Sequence, residues 1–403
     1  MIKNILLLMI SVTWVSCSSS PDILTVSNTS ATDWSNKNIV VSSSQLNVKS
    51  ELLPVIFNSE GIQVPSQADD INGDGKWNEL AFQVSLPAGS SKEFMIEGVY
   101  PNEYPKFKKK TQVHLGYSPQ RNDRFESVDQ NIRPKDHRAQ STPYLYQYEG
   151  PGWESNLVAY RSYFDSRNGK DIFGKRTEDM VTESIGINED YHTLQPWGMD
   201  ILKVGNSLGA GALALKKDGK LIRLGETKSA KFKKIYEGPV RSFFQLEYEG
   251  WDVAGQPYEL TEVITIWANK RWYNSTVHLS ANTSDTLVTG IVNLFDMQAT
   301  TIDTSNFEMI YTYGQQSEHG DALGMAILVP ENNSIGFSKA PTSGNGITNT
   351  ELVYLQPEND SYTFYFYSGW QGEQERFSDL NYFESEIIRE AKQLSIDPVI
   401  QSN

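Results

Sequence analysis

The residues able to do chemistry crowd into two stretches of this chain. The run 150-GPGWESNLVAYRSYFDSRNGKDIFGK holds Trp153, Glu154, Tyr160, Arg161, Tyr163, Asp165, Arg167, Asp171 and Lys175. Arginine clamps a carboxylate or sulfate through two parallel hydrogen bonds. If 160-YRSYFD is extended, Tyr160, Ser162 and Phe164 share one face, and Arg161, Tyr163 and Asp165 share the other. Arg161 and Asp165 can then form a structural ion pair along the strand. The second run, 190-DYHTLQPWGMDILKVGNSLGAGALAL, places His192 beside Tyr191, ahead of a turn at Pro196, Trp197 and Asp200. Imidazole is the side chain best tuned for proton transfer near neutral pH. A carboxylate such as Asp200 can orient it, and a neighbouring aromatic can stack on a sugar ring. His319 sits in a polar loop, 315-QQSEHGDALG, with Glu318 and Asp321.

No HExxH, SxxK or P-loop occurs, so those hydrolase and nucleotide motifs are missing. Gly205, Gly209 and Gly211 form no dinucleotide fingerprint and read as sites of close strand packing. No cofactor is required by any motif. The turn 69-DDINGDGKWNEL spaces Asp70, Asn72 and Asp74 as positions 1, 3 and 5 of a calcium loop, with Gly75 at position 6. Position 12 is Ala81, so the bidentate ligand is missing. A structural Ca2+ and an Asx-rich hairpin turn are the two readings.

The elements that must position these residues are mostly strands. Short runs such as 38-NIVVSS, 52-LLPVIF and 90-SSKEFMIEGV predict a small antiparallel β-domain over residues 18–105. Longer alternating runs follow: 241-RSFFQLEYEGW, 258-YELTEVITIWAN, 271-RWYNSTVHLSA and 361-SYTFYFYSGW. Aromatics on both faces of the last predict a covering layer on each side of its sheet. In 379-DLNYFESEIIREAKQLS, Leu380, Phe383, Ile387, Ile388 and Leu394 recur at helical spacing, and Asp397–Pro398 stops the helix. Residues 1–17, MIKNILLLMISVTWVSC, read as a bacterial lipoprotein signal, with lipid on Cys17, the only cysteine. The expected location is therefore the outer membrane, on its periplasmic or surface face, or else the soluble periplasm. One cysteine excludes a disulfide framework. The net charge of −15 argues against nucleic acid as a partner. Charge is uneven, however: between Lys106 and Arg176 the basic residues outnumber the acidic by six. That stretch is either a solvated face or a patch for an acidic ligand.

Together, the two chemistry-rich runs, the DDINGDGKWNELAFQ turn and the aromatic strand ending in GW resemble a secreted bacterial family described as a domain of unknown function. That family includes the ulvan oligosaccharide dehydratase of polysaccharide-utilisation systems. The resemblance implies a mainly β chain, with a mutarotase-like β-supersandwich over residues 106–403 as catalytic domain and a C-terminal helix. It also implies a dehydratase, a carbon–oxygen lyase that removes water from a non-reducing-end uronic acid linked to sulfated rhamnose and leaves a 4,5-unsaturated uronate. Such chemistry needs a base for the C5 proton, an acid for the leaving 4-hydroxyl, and a cation for the carboxylate. His192 and His319 suit the proton transfers, with Tyr160 or Tyr191 as partner and Asp200 as orienter. Arg161 with Lys175 or Arg241 suits the carboxylate. Trp153 and Trp197 can stack on the sugar, with Glu154 among the binding groups. The expected partner is an anionic oligosaccharide; oligomeric state is not read from the sequence. The rival expectations are a non-catalytic carbohydrate-binding surface lipoprotein and a polysaccharide lyase or epimerase.

Overall fold

The computed structural model describes residues 22–122, 124–134, 137, 144–280 and 285–402. Cys17 and the signal-like segment lie outside the described residues. The N-terminal part is a β-sandwich. One antiparallel sheet holds Asp22–Ser27, Ser91–Val99, Leu53–Phe57 and Gln63–Val64; the other holds Trp34–Ser42, Glu79–Leu86 and Ser66–Asp69. Alternating apolar residues from both sheets, among them Leu24, Ile39, Val41, Phe82 and Phe94, close one core between them. The last strand, Val399–Ser402, returns to this sandwich and pairs with Asp22–Ser27, Leu24 opposite Ser402.

The larger part is a supersandwich. A nine-stranded antiparallel sheet has the long strands Arg241–Val253, Gln256–Trp267, Trp272–Leu279 and Tyr362–Trp370 at its centre. Two five-stranded sheets supply the opposite wall of its main core. One of them runs Gly198–Asp200, Lys170–Lys175, Val158–Ser162, Gly152–Ser155, Thr111–His114. Lys170 forms a parallel bridge with Gly209, and the next residue, Ala210, bridges Ile291 of the other sheet. Gly209 has φ +61°, and a Cβ there would fall 2.0 Å from the Lys170 carbonyl oxygen, so close approach requires glycine.

Burial drives the stacking of these layers. Trp153 and Tyr160 point inward and meet Tyr273 of the long sheet at centroid distances of 5.2 and 5.0 Å. On the other face of the long sheet lies the terminal helix, Leu380–Leu394, capped by the Asp379 side chain on the Asn381 amide. Phe383, Ile387 and Ala391 pack against Tyr311, Ala326 and Tyr367 there. Aromatics on both faces of Tyr362–Trp370 thus serve two cores: Phe364 and Phe366 face the five-stranded sheets, and Tyr367 faces the helix.

At the calcium-like turn, Asp70 accepts hydrogen bonds from the amides of Gly73 and Gly75, each at 2.7 Å, and Asp74 from that of Lys76 at 2.9 Å. These carboxylates cap backbone, as an Asx-rich hairpin requires. Among the described residues no group of three or more acidic or imidazole side chains is arranged to hold a metal.

The helix lies so close to the sheet that a Cβ on Gly324 would sit 2.3 Å from the Phe383 ring. Gly324→Ala should therefore lower the unfolding free energy by about 1–3 kcal/mol, as overpacking does. Urea denaturation measures this; an unchanged midpoint would show that the helix can lift away freely.

Candidate active site

Arg161 is the centre of the site. It lies on the strand Val158–Ser162, directly across from Asp171 on Lys170–Lys175. Its side chain is only 3% exposed. Nη2 donates to Asp171 Oδ2 at 2.7 Å and to Asp200 Oδ2 at 2.6 Å, and Nε donates to Asp171 at 3.2 Å. Nη1 donates to the Tyr191 hydroxyl at 3.2 Å and to the Tyr148 carbonyl at 3.3 Å. The rings of Tyr163, Phe173 and Tyr191 flank the guanidinium at 5.0–5.2 Å. Tyr148 and Glu149 both hold positive φ, 37° and 73°, which aims the Tyr148 carbonyl at Arg161.

Asp171 and Asp200 both hydrogen-bond this one cation, and Glu149 stands 3.9 Å from it. Burial and the neighbouring Asp171 push Asp200 well above the usual carboxylate range, against the pull of Arg161. Tyr163 donates to Asp171 at 2.5 Å, and burial keeps its phenol protonated. His192 completes the arrangement. Its ring lies tilted against that of Tyr191, centroids 4.4 Å apart, and Nδ1 stands 3.5 Å from Asp200 Oδ2. Unlike Asp200, it is 65% exposed. A charged and aromatic interior thus reaches solvent through one imidazole.

The imidazole borders a cavity of about 200 Å3, which Tyr163, Asp171, Asp200, Lys203 and Glu318 also line. Glu318 arrives because its amide donates to the Ile201 carbonyl at 2.9 Å. His319, the next residue, is exposed and lies edge-on to Trp370 at 6.3 Å; it is not among the cavity-lining residues.

Several residues expected at a sugar site have other employment. Trp153 is 0% exposed in the core, so it cannot stack on a ligand. Tyr160 points to the same core, one strand position from Arg161 and hence on the opposite face; its hydroxyl donates to the Arg271 carbonyl at 2.7 Å. Lys175 and Glu154 form a fully buried pair at 2.6 Å. Glu154 also accepts from the amides of Val181 and Thr182, pinning the loop that follows the strand. Arg241 binds Asp69 and Glu79 where the N-terminal sandwich meets the long sheet. Trp197 is nearly buried against Phe173, and its indole donates to Glu189 at 2.7 Å. Asp165 pairs with Arg167 at 2.6 Å, not with Arg161. Arg161 itself has its donors engaged by protein groups and is not free to clamp a substrate. The structure therefore brings together His192, Asp200, Arg161 and Tyr191, and adds Tyr163, Asp171, Lys203 and Glu318. The hairpin that places Asp171 opposite Arg161 turns through the longer loop between Ser162 and Lys170, which no two-residue turn motif marks.

A two-sandwich β-chain with this buried cation defines the architectural class. The chain belongs to the family described as Domain of unknown function (DUF4861), whose model matches residues 26–399. It is 26% identical over 238 residues to "Uncharacterized protein P7" of Formosa agariphila, covering 54% of this chain and 58% of that protein. The fold is similar to an alpha-mannosidase from Enterococcus faecalis V583, with TM-score 0.52 and 11% identity over 96% of this chain. It is also similar to a glycosyl hydrolase family 38 protein from Enterococcus faecalis, with TM-score 0.51, 9% identity and the same coverage. The chain spans 46% and 48% of those two structures.

Removing Arg161 would strand two carboxyls in the interior. Arg161→Ala should cost about 3–5 kcal/mol in chemical denaturation, whereas an exposed-residue loss would cost far less. Asp200 binds its proton more tightly folded than unfolded. Its contribution to stability is thus full below the ordinary carboxylate range and is lost as pH rises through the folded value. Wild-type stability should fall more steeply above about pH 4 than that of Asp200→Asn; parallel pH profiles would disprove the raised affinity.

Proposed function

We propose that this protein is a carbohydrate-active carbon–oxygen lyase, a dehydratase acting on the terminal uronic acid of an anionic oligosaccharide. The observation that carries the reading is the exposed imidazole of His192 backed by the buried Asp200 carboxyl. The motif runs that resemble the dehydratase family support the substrate class. The described fold neighbours, an alpha-mannosidase and a family 38 glycosyl hydrolase, agree with a carbohydrate ligand.

The chemistry follows from the groups at the cavity. With Asp200 ionised against Arg161, His192 Nδ1 faces a carboxylate, which leaves Nε2 to take the C5 proton of the uronate. The C5–H electron pair becomes the C4=C5 bond as the C4–O bond breaks. Tyr163, protonated beside Asp171, gives its proton to the departing 4-hydroxyl, which leaves as water. Lys203 offers the positive charge that the uronate carboxylate needs as C5 is deprotonated. The imidazolium formed on His192 is held by Asp200, whose ionised form it favours. Its proton then returns to the tyrosine through solvent.

His192→Ala should fold normally, since the ring is largely exposed, and lose about 10²- to 10⁴-fold in turnover. The measurement is the absorbance of the unsaturated uronate, with mass spectrometry for loss of one water, on saturated-end ulvan oligomers. Binding without product in the wild type would instead indicate a carbohydrate-binding protein, and retained turnover in the variant would clear His192 of proton transfer.

A further inference from the structure

Beside the His192 cavity lies a second hollow, of about 240 Å3, bordered by Ser166, Arg167, Gly205, Asn206 and Arg223. The two share Tyr163 and Val204 as lining residues. Arg223 is the unusual group. Its guanidinium donates only to carbonyl oxygens: Arg167 at 3.2 Å, Asn206 at 2.8 Å and Ser207 at 2.7 Å. Carbonyls orient a cation without neutralising it. Arg161, Arg167, Arg241 and Arg271 each face carboxylates. For Arg223 no described carboxylate does so, and burial alone lowers its pKa, to about 10, with no acidic neighbour opposing. It remains charged at neutral pH, partly withdrawn from water. Across the hollow, Arg167 stacks on Tyr163 at 4.3 Å, its charge compensated by Asp165 and Glu149.

A half-buried, preoriented guanidinium without a counter-ion is incomplete. An anion entering the hollow would recover Coulomb energy at little ordering cost, since the carbonyls already hold the side chain. Planar nitrogen donors suit a tetrahedral or planar oxyanion.

We propose that this hollow is a subsite for an anionic substituent, a sulfate ester or a carboxylate, with Arg223 as its principal contact. The anion site stands on Arg223 alone. That the anion is borne by the sugar next to the reacting uronate rests on the function proposed above.

The test uses the whole protein and the free ions. Melting temperature is followed against sodium sulfate and sodium acetate, with sodium chloride holding ionic strength constant. One of the two ions should raise it saturably. Sulfate alone would assign a sulfate ester, acetate alone a carboxylate. Arg223→Gln should raise the apparent Kd at least about tenfold and leave only the linear salt effect. Ser166→Asp, which places a carboxylate in the hollow and leaves Arg223 intact, should do the same. No saturable response, or a response unchanged in both variants, overturns the subsite. His192→Ala should bind the ion as the wild type does. Oligomers that bind but do not react, together with intact ion binding, would remove the dehydratase reading and leave the subsite standing.

Discussion

The site depends on one electrostatic constraint: a guanidinium, Arg161, is buried and must be compensated. Asp171 is supplied by the register of the neighbouring strand, Asp200 by the edge strand, and the Tyr148 carbonyl by a left-handed kink. Each of these pieces of backbone would be free to shift if the cation were absent. Compensation by two acids leaves one of them, Asp200, with a raised proton affinity. That carboxyl is the one beside His192. The exposed imidazole thus inherits its orientation from a charge balance it does not join directly.

Much of the fold was legible in the sequence, because it rests on alternation. The run 361-SYTFYFYSGW was apolar on both faces, and it lies between two cores. The helix after Asp379 showed its apolar stripe and its stop. By contrast, nothing local revealed that the last strand would pair with the first, since that contact joins residues 372 or more apart in the chain.

The site was half legible. His192, Asp200 and Arg161 stood out by type and proximity, and period two placed Arg161 and Tyr163 on one face. What sequence could not show was which polar side chains would be spent inside. Lys175, Glu154 and Arg241 have the same side chains as substrate-binding residues, yet each meets its countercharge within the fold. Charge counting misled for the same reason. Within the positive stretch from Lys106 to Arg176, Arg161, Lys170 and Lys175 are neutralised internally. Arg223, which faces no described carboxylate, lies downstream of it.

The pairing of Val399–Ser402 with Asp22–Ser27 bears on the order in which the molecule can be completed. During synthesis the first sandwich emerges early but lacks one strand of its outer sheet. The Asp22–Ser27 edge stays open, with unpaired backbone groups, until Val399–Ser402 has been made. This sandwich is therefore finished only after the supersandwich lying between its strands in sequence has been made. A chain interrupted anywhere before the helix is left with that adhesive edge uncovered.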